Sequence, residues 1–123
     1  MPAAEEHKFH QSDSRRFEDS VMESAVREAV ERIVEQVHPS RIILFGSTAR
    51  DEHGLDSDMD LLVIMPEGTH KRRTAQMLYR GLRGLPVPVD VLVTTEVDLD
   101  RQKDNPGLIY RTILQEGREL YAA

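Results

Sequence analysis

The sequence contains no cysteine, which excludes disulfide bonds, thiolate metal sites and a cysteine nucleophile. Any metal ion must therefore bind to oxygen or imidazole ligands. Tryptophan is also absent and aromatic residues make up only 5% of the chain, whereas 39% of the residues are hydrophobic and 31% are charged. These proportions are ordinary for a globular domain and argue against disorder throughout the chain.

Long hydrophobic runs are missing as well. The longest apolar run, Leu61–Met65, is too short to span a bilayer, and residues 1–20 lack the apolar stretch that a secretion signal needs. We therefore expect a cytoplasmic protein without membrane contact. The formal net charge of -6 argues against a general nucleic-acid coat protein, because such proteins usually present a net basic face.

The chain of 123 residues is long enough for one domain with a substantial core and too short for a second domain of similar size. Residues 1–16 show no apolar periodicity and are predicted to form a flexible arm, so that residues 17–123 form a single domain. The periodicity within that domain predicts an α/β fold, a small mixed sheet flanked by helices.

The predicted elements follow from apolar spacing and from breaker residues. In the first half these are a helix from Phe17 to about His38, a strand at Arg41–Phe45 and a strand at Asp58–Met65. In the second half they are a helix capped by Thr69 and ended by Gly84, a strand at Val87–Thr94 entered through Pro86 and Pro88, a helix opened by Asn105 and Pro106 and closed by Gly117, and a short last strand at Leu120 and Tyr121.

A possible phosphate-binding turn follows the first predicted strand. Gly46 allows close approach of the backbone, Ser47 adds a hydroxyl donor, and Thr48, Ala49 and Arg50 can form one helical turn. The free backbone N–H groups of such a turn suit a phosphate, and the Arg50 guanidinium adds positive charge against a triphosphate.

Three aspartates point to a metal site. Asp58 and Asp60 lie two positions apart in a predicted strand and so project from the same face, where their mutual repulsion is unfavourable without a cation. Asp90 interrupts another β-branched strand, where an unpaired charge is costly. Mg²⁺ prefers oxygen ligands and usually combines carboxylates with substrate phosphate, so a shared Mg²⁺ would explain all three.

Each feature has a simpler interpretation when taken alone. A Gly-Ser pair is more often a plain turn, and an Asp-x-Asp pair is usually a solvated strand entrance. The joint placement of Gly46, Asp58 and Asp90 in three separate strand contexts favours the metal and phosphate site.

These residues resemble the minimal nucleotidyltransferases of the DNA polymerase beta superfamily, whose signature is Gly-Ser, a spacer of about ten residues and Asp-x-Asp. The likeness extends from about Arg41 to Tyr121 and does not cover the arm or the first helix. The matching segments are Gly46-Ser47, Ser57-Asp58-Met59-Asp60-Leu61, Val89-Asp90-Val91-Leu92 and Ile113-Leu114-Gln115-Glu116-Gly117.

The resemblance implies a nucleotidyltransferase fold like the polymerase beta palm, with two Mg²⁺ ions and ATP as substrate. By that resemblance Asp58 and Asp60 bind both ions, and Asp90 binds the ion at the attacking hydroxyl and assists its deprotonation. Gly46, Ser47 and Arg50 would hold the triphosphate. Two positions depart from the family's Gly-Ser-Arg-Ala-Arg-Gly run, since Thr48 and Asp51 stand where arginine and glycine are common.

The acceptor is a separate question, because the chain ends soon after the catalytic core. The resemblance points to the antitoxin class, which pairs with HEPN-type toxins and transfers AMP to a toxin tyrosine, and this is our leading hypothesis. Three alternatives stay open. They are transfer to a small hydroxylated compound in a pocket completed by a homodimer or a helical subunit, a binding module that neutralises a partner by contact, and addition to an RNA end held by Arg72, Arg73, Arg80 and Arg83.

Overall fold

The structure is a computed structural model that describes residues 3–50 and 58–123, and the side chains of the first helix from residue 20 onward. The elements, in chain order, are α1 (Ala3–Val37), β1 (Arg41–Phe45), α2 (Gly46–Ala49), β2 (Met59–Met65), α3 (Lys71–Gly81), β3 (Val89–Thr95), α4 (Glu96–Gln102), α5 (Ile109–Glu116) and β4 (Arg118–Ala122).

The first helix is longer than its apolar pattern predicts. Its buried residues Met22, Ala25, Ala29 and Ile33 recur at three- and four-residue steps, as expected for a helix that packs one face on the core. The helix begins at Ala3 rather than near Phe17, because its first part is rich in helix-forming residues although it lacks an apolar stripe. Whether residues 1–16 move as an arm separate from a 17–123 domain stays a prediction.

Although α1 has 35 residues, none of the helices in the described part of the chain combines the length and the apolar character needed to cross a membrane.

The four strands form one mixed sheet in the order β3-β2-β1-β4. Strand β1 pairs antiparallel with both β2 and β4, whereas β2 and β3 are parallel. The predicted mixed sheet is therefore confirmed. In β2 the five consecutive residues 61–65 are all buried, which is the pattern of a strand covered on both faces.

Helices cover the two faces of the sheet unequally. On one face α1 and α3 pack over a large cluster that includes Ile42, Leu61 and Val63. On the other face α4 contributes Leu99 and α5 contributes Ile113 to a smaller cluster with the buried strand residues Ile43, Leu62 and Ile64. At the end of this second face where β2 and β3 begin, Asp58 and Asp90 are exposed.

The ends of α3 differ from the predicted ones. His70 caps the helix in place of Thr69, because the His70 ring nitrogen Nδ1 accepts a hydrogen bond from the backbone N–H of Arg73 at 3.1 Å. The Thr69 hydroxyl instead donates to the Pro66 carbonyl at 2.8 Å. The helix ends at Gly81 rather than at Gly84, which adopts a positive φ in the turn that follows.

The helices after β3 also differ from the sequence prediction. Helix α4 was not predicted, because with seven residues and one buried side chain, Leu99, it carries no apolar periodicity. Asn105 does not cap α5 but forms a turn before it, in which its side chain accepts from the Gly107 N–H at 3.0 Å. Helix α5 begins at Ile109 with Leu108 as its N-cap.

Candidate active site

The predicted acidic residues lie in neighbouring strands at one end of the sheet. Asp60 in β2 is the direct partner of Asp90 in β3 and, on its other side, of Phe45 in β1. Since side chains alternate along a strand, Asp60 shares a face with Leu62 and Ile64, the face that α4 and α5 cover farther along. Asp58 directly precedes β2, and the same alternation predicts that it lies on this face as well. Asp60 is half-buried, whereas Asp58 and Asp90 are exposed.

The predicted phosphate turn packs directly against Asp60. Gly46 opens α2 with a φ of 75°, and a Cβ at this position would collide with the Asp60 carboxylate, whose Cγ is only 3.4 Å from it. Only glycine combines this backbone conformation with such a close neighbour. The sequence therefore brings the Gly-Ser turn and the Asp-x-Asp strand together through Gly46.

The other two phosphate candidates lie on α2 and at its end. Ser47 is half-buried in the helical turn, and Arg50 follows as an exposed C-cap residue whose backbone N–H donates to the Ser47 carbonyl at 3.1 Å. The predicted turn over residues 48–50 is thus present, but it begins two residues earlier and spans Gly46–Ala49. Triphosphate binding by Gly46, Ser47 and Arg50 stays a prediction.

Thr48, which departs from the resembled family, has a structural role that the sequence did not reveal. The residue is 2% exposed, and its hydroxyl donates to the backbone carbonyl of Asp58 at 2.9 Å. This bond ties α2 to the entrance of β2 and so fixes the turn relative to Asp58. A compact hydroxyl side chain can make that contact in a buried position where an arginine would carry an unpaired charge. The second departure, Asp51, lies outside the described residues.

The electrostatics of the site centre on Asp60. Burial raises the pKa of the Asp60 carboxyl above its ordinary value, and the negative charges of Asp90 and then Asp58 raise it further. All three causes disfavour the ionised form of Asp60 in the metal-free protein. A bound cation would oppose the two charge effects, because its positive charge favours the ionised form of the carboxyl groups that hold it.

The chemistry of the donor set fits Mg²⁺, since three carboxylates on adjacent strands supply the oxygen ligands that this ion prefers. In the described part of the chain, however, no group of three or more His, Cys, Asp or Glu side chains is already arranged to hold a metal ion. The sheet thus makes Asp60 and Asp90 direct partners, with Asp58 just before β2, without bringing the three carboxyl groups into a ready ligand set. Their roles as metal ligands and catalytic residues stay predictions.

A mixed sheet in which a Gly-Ser turn packs against an Asp-x-Asp strand, with a further aspartate on the adjacent parallel strand, defines a nucleotidyltransferase-like domain. The sequence profile of the nucleotidyltransferase domain matches residues 24–120, and the chain belongs to this family. The match reaches farther toward the N-terminus than the expected limit at Arg41 and includes most of the part of α1 that packs on the core, from residue 24 onward.

Solved structures share the fold. The chain superposes on a candidate nucleotidyltransferase from Sulfolobus solfataricus with a TM-score of 0.55 and 23% identity, over 84% of this chain and 87% of that one. It also superposes on a chain from a toxin-antitoxin structure with AMP-PNP, with a TM-score of 0.51 and 19% identity, over 78% of this chain and 73% of that one. No curated protein sequence matches this chain.

Proposed function

We propose that this protein is a Mg²⁺-dependent nucleotidyltransferase that moves AMP from ATP to a hydroxyl group. The observation that carries the proposal is the direct pairing of Asp60 with Asp90, beside a glycine turn that has no room for a side chain. Membership of the nucleotidyltransferase domain family supports the proposal. Nucleotidyl transfer depends on positioning and charge stabilisation more than on covalent chemistry by the protein, and metal-binding carboxylates beside a phosphate-binding turn would provide both.

The position of each residue suggests its role, either in metal binding or in triphosphate binding. Asp58, Asp60 and Asp90 would hold two Mg²⁺ ions, which would supply charge stabilisation to the displacement, in which the acceptor oxygen bonds to the α-phosphorus and pyrophosphate leaves. The Asp58 and Asp90 side chains are exposed and would reach a shared ion with Asp60 by a change of rotamer. The backbone at Gly46 and the Ser47 hydroxyl would orient the triphosphate, and Arg50 would add positive charge to it.

For the acceptor we propose a tyrosine of a HEPN-type toxin, which would make this chain the antitoxin and a protein adenylyltransferase of the cytoplasm. The resemblance to minimal nucleotidyltransferases supports this choice, and so does the likeness in fold to a chain of a toxin-antitoxin structure with AMP-PNP. Asp58 and Asp90 are both exposed, as access by a protruding tyrosine of a partner would require.

A second candidate is a catalytically idle module that neutralises its partner by contact. It is favoured by one observation, that the described residues hold no ready metal-binding group. Under this alternative the protein would block its partner equally well without any of the three aspartates.

The test is transfer of label from ATP labelled at the α-phosphate, with Mg²⁺ and the protein encoded by the neighbouring gene. We expect label on a tyrosine of that protein, and loss of about 10³-fold or more of the rate on Asp58→Asn, Asp60→Asn or Asp90→Asn. Asp104→Asn is the matched control, because Asp104 is an exposed aspartate outside the site.

The other outcomes separate the alternatives. Label on a small hydroxylated compound or on an RNA end keeps the enzyme but replaces the proposed acceptor. Absence of label, with Asp60→Ala still blocking the partner, rejects the enzyme in favour of the binding module.

A further inference from the structure

Strand β3, which carries Asp90, is an edge strand of the sheet. It is hydrogen-bonded to β2 on one side, and no other strand of the described chain pairs with it on the other side. The Pro88 carbonyl accepts from the Met59 N–H at 2.9 Å. The backbone N–H and C=O groups of the even-numbered residues of β3 therefore point toward β2. Because successive residues of a strand point their N–H and C=O groups to opposite sides, those of Val91 point outward.

Both outward groups of Val91 are bound by one side chain. The Val91 N–H donates to the Tyr79 hydroxyl at 3.2 Å, and the same hydroxyl donates to the Val91 carbonyl with an oxygen–oxygen distance of 3.4 Å. Tyr79 belongs to α3 and its side chain is 47% exposed, so burial of its ring is incomplete. The phenol therefore occupies the place that a further strand would take at this point of the edge.

This contact lies next to the pair of negatively charged residues on β2 and β3. Asp60 and Asp90 are direct partners across β2 and β3, and like charges directly opposite one another destabilise strand pairing. Pro88, just before the strand, cannot donate a backbone hydrogen bond of its own. At its start β3 therefore lacks the donor that Pro88 cannot supply, has no strand of the described chain on its outer side, and carries a like-charge repulsion against β2.

We propose that Tyr79 is a positioning residue for Asp90: through its two hydrogen bonds to Val91 it holds β3 in the register that keeps Asp90 opposite Asp60. Tyr79 lies on the α3 side of the sheet and Asp90 on the other face, so the effect passes through the backbone of the adjacent residue. The catalytic consequence rests on the proposed function, whereas the anchoring of the strand does not.

The test compares Tyr79→Phe with Tyr121→Phe. The first change removes the hydroxyl and keeps the ring. The second removes a hydroxyl in β4, at the opposite edge of the sheet, that makes no hydrogen bond within the described part of the chain. Both variants are expected to fold, and thermal unfolding is recorded first to show that each is native at the assay temperature.

Three readouts are then measured. In Tyr79→Phe the amide hydrogen of Val91 is expected to exchange about 10-fold faster or more, since edge bonds open locally once a partner is lost. Binding of Mn²⁺, used as the probe for the metal site, is expected to weaken by about 10-fold, as for other outer-shell positioning groups. kcat for AMP transfer should fall by a similar factor while KM for ATP changes less than about 2-fold, because the Gly46 turn is untouched.

The outcomes distinguish the inference from the proposed function. A wild-type protein that neither binds Mn²⁺ nor transfers AMP overturns the proposed function and, with it, the catalytic part of the inference. An active wild type with Tyr79→Phe indistinguishable from Tyr121→Phe overturns the inference alone. Equal losses in kcat, ATP affinity and thermal stability would also overturn it, because they indicate a general structural role.

Discussion

Gly46 is needed for two reasons, its backbone conformation and the lack of space for a side chain beside Asp60. Its φ of 75° lies in the left-handed region, and the Asp60 carboxylate occupies the space that a Cβ would need. Gly84 has a similar φ of 86° but no neighbour within 4 Å of a Cβ. The two glycines therefore separate the cost of the conformation from the cost of the contact.

We expect Gly84→Ala to reduce the free energy of unfolding by about 1 kcal/mol, the usual cost of a left-handed alanine. Gly46→Ala should cost about 2–3 kcal/mol, because the methyl group also displaces the Asp60 carboxylate. Urea denaturation gives both values, and AMP transfer should be lost only in Gly46→Ala. Equal costs at the two positions would mean that the turn yields to the methyl group and that Asp60 is not held against Gly46.

Two buried threonines differ in whether their hydroxyl groups make a hydrogen bond. Thr94 in β3 is completely buried, and its hydroxyl has no hydrogen-bond partner among the described residues. Thr48 is also buried but donates to the Asp58 carbonyl. Replacement by valine keeps the shape of each side chain and removes only the hydroxyl.

We expect Thr94→Val to increase the free energy of unfolding by about 1 kcal/mol, because it removes an unsatisfied buried hydroxyl. Thr48→Val should decrease it by about 1–2 kcal/mol, because the Asp58 carbonyl loses its partner. Both values come from urea denaturation of the metal-free protein. A destabilising Thr94→Val would show that the hydroxyl is satisfied in solution.

At the scale of the elements, α1 holds α3 by polar contacts at the C-terminal end of α3. The Arg32 guanidinium donates to the Gly81 carbonyl at 3.3 Å and to the Arg83 carbonyl at 2.8 Å, and the Gln36 amide donates to the Met77 carbonyl at 3.2 Å. The last carbonyls of a helix lack intrahelical partners and carry partial negative charge, so a guanidinium stabilises them well.

Arg32→Met keeps most of the side-chain length and removes these bonds. We expect it to lower the free energy of unfolding by about 1–2 kcal/mol, mainly through the uncapped carbonyls, since the exposed pair with Glu28 contributes little. Arg27→Met is the control, because Arg27 is exposed on the same helix and makes no hydrogen bond or ion pair with the described residues. If both variants lose the same stability, helix propensity rather than capping explains the loss.

The elements that sequence could predict are those with an apolar pattern of their own. Helix α1 beyond Phe17, strands β1, β2 and β3, and the helix before Gly117 all carry such a pattern. Helix α4 could not be predicted, because one buried leucine sets no period. The His70 cap was missed because histidine is an uncommon capping residue beside a threonine, and only the loop geometry decides between them.

At the scale of the whole molecule, the site depends on strand order, which the sequence does not contain. Alternation predicted that Asp58 and Asp60 share a face, but the pairing of Asp60 with Asp90 follows from β3 lying next to β2 in parallel. The contacts of Thr48 with Asp58 and of Tyr79 with Val91 join residues in different elements and leave no local signal. These contacts follow only from the three-dimensional arrangement of the elements.

The arrangement of strands that forms the site also lowers the stability of the metal-free protein. The pKa of Asp60 is raised by burial and by the charges of Asp90 and Asp58, so ionised Asp60 destabilises the metal-free protein. This destabilisation is small because the carboxyl group is partly exposed and solvent screens the charges. Binding sites commonly keep such unfavourable groups because a ligand later compensates for them.

Asp60→Asn should therefore have opposite effects in the absence and presence of ligand. Without metal we expect a gain of about 0.5 kcal/mol in the free energy of unfolding, from the loss of like-charge repulsion. With Mg²⁺ and a non-hydrolysable ATP analogue at about 100 times Kd, wild type should gain about 2.7 kcal/mol while Asp60→Asn gains almost nothing. Thermal unfolding with and without ligand measures both, and Asp104→Asn, which should behave as wild type, is the control. If Asp60→Asn retained the full stabilisation by ligand, the nucleotide would bind without the aspartates and the metal site would have to be placed elsewhere.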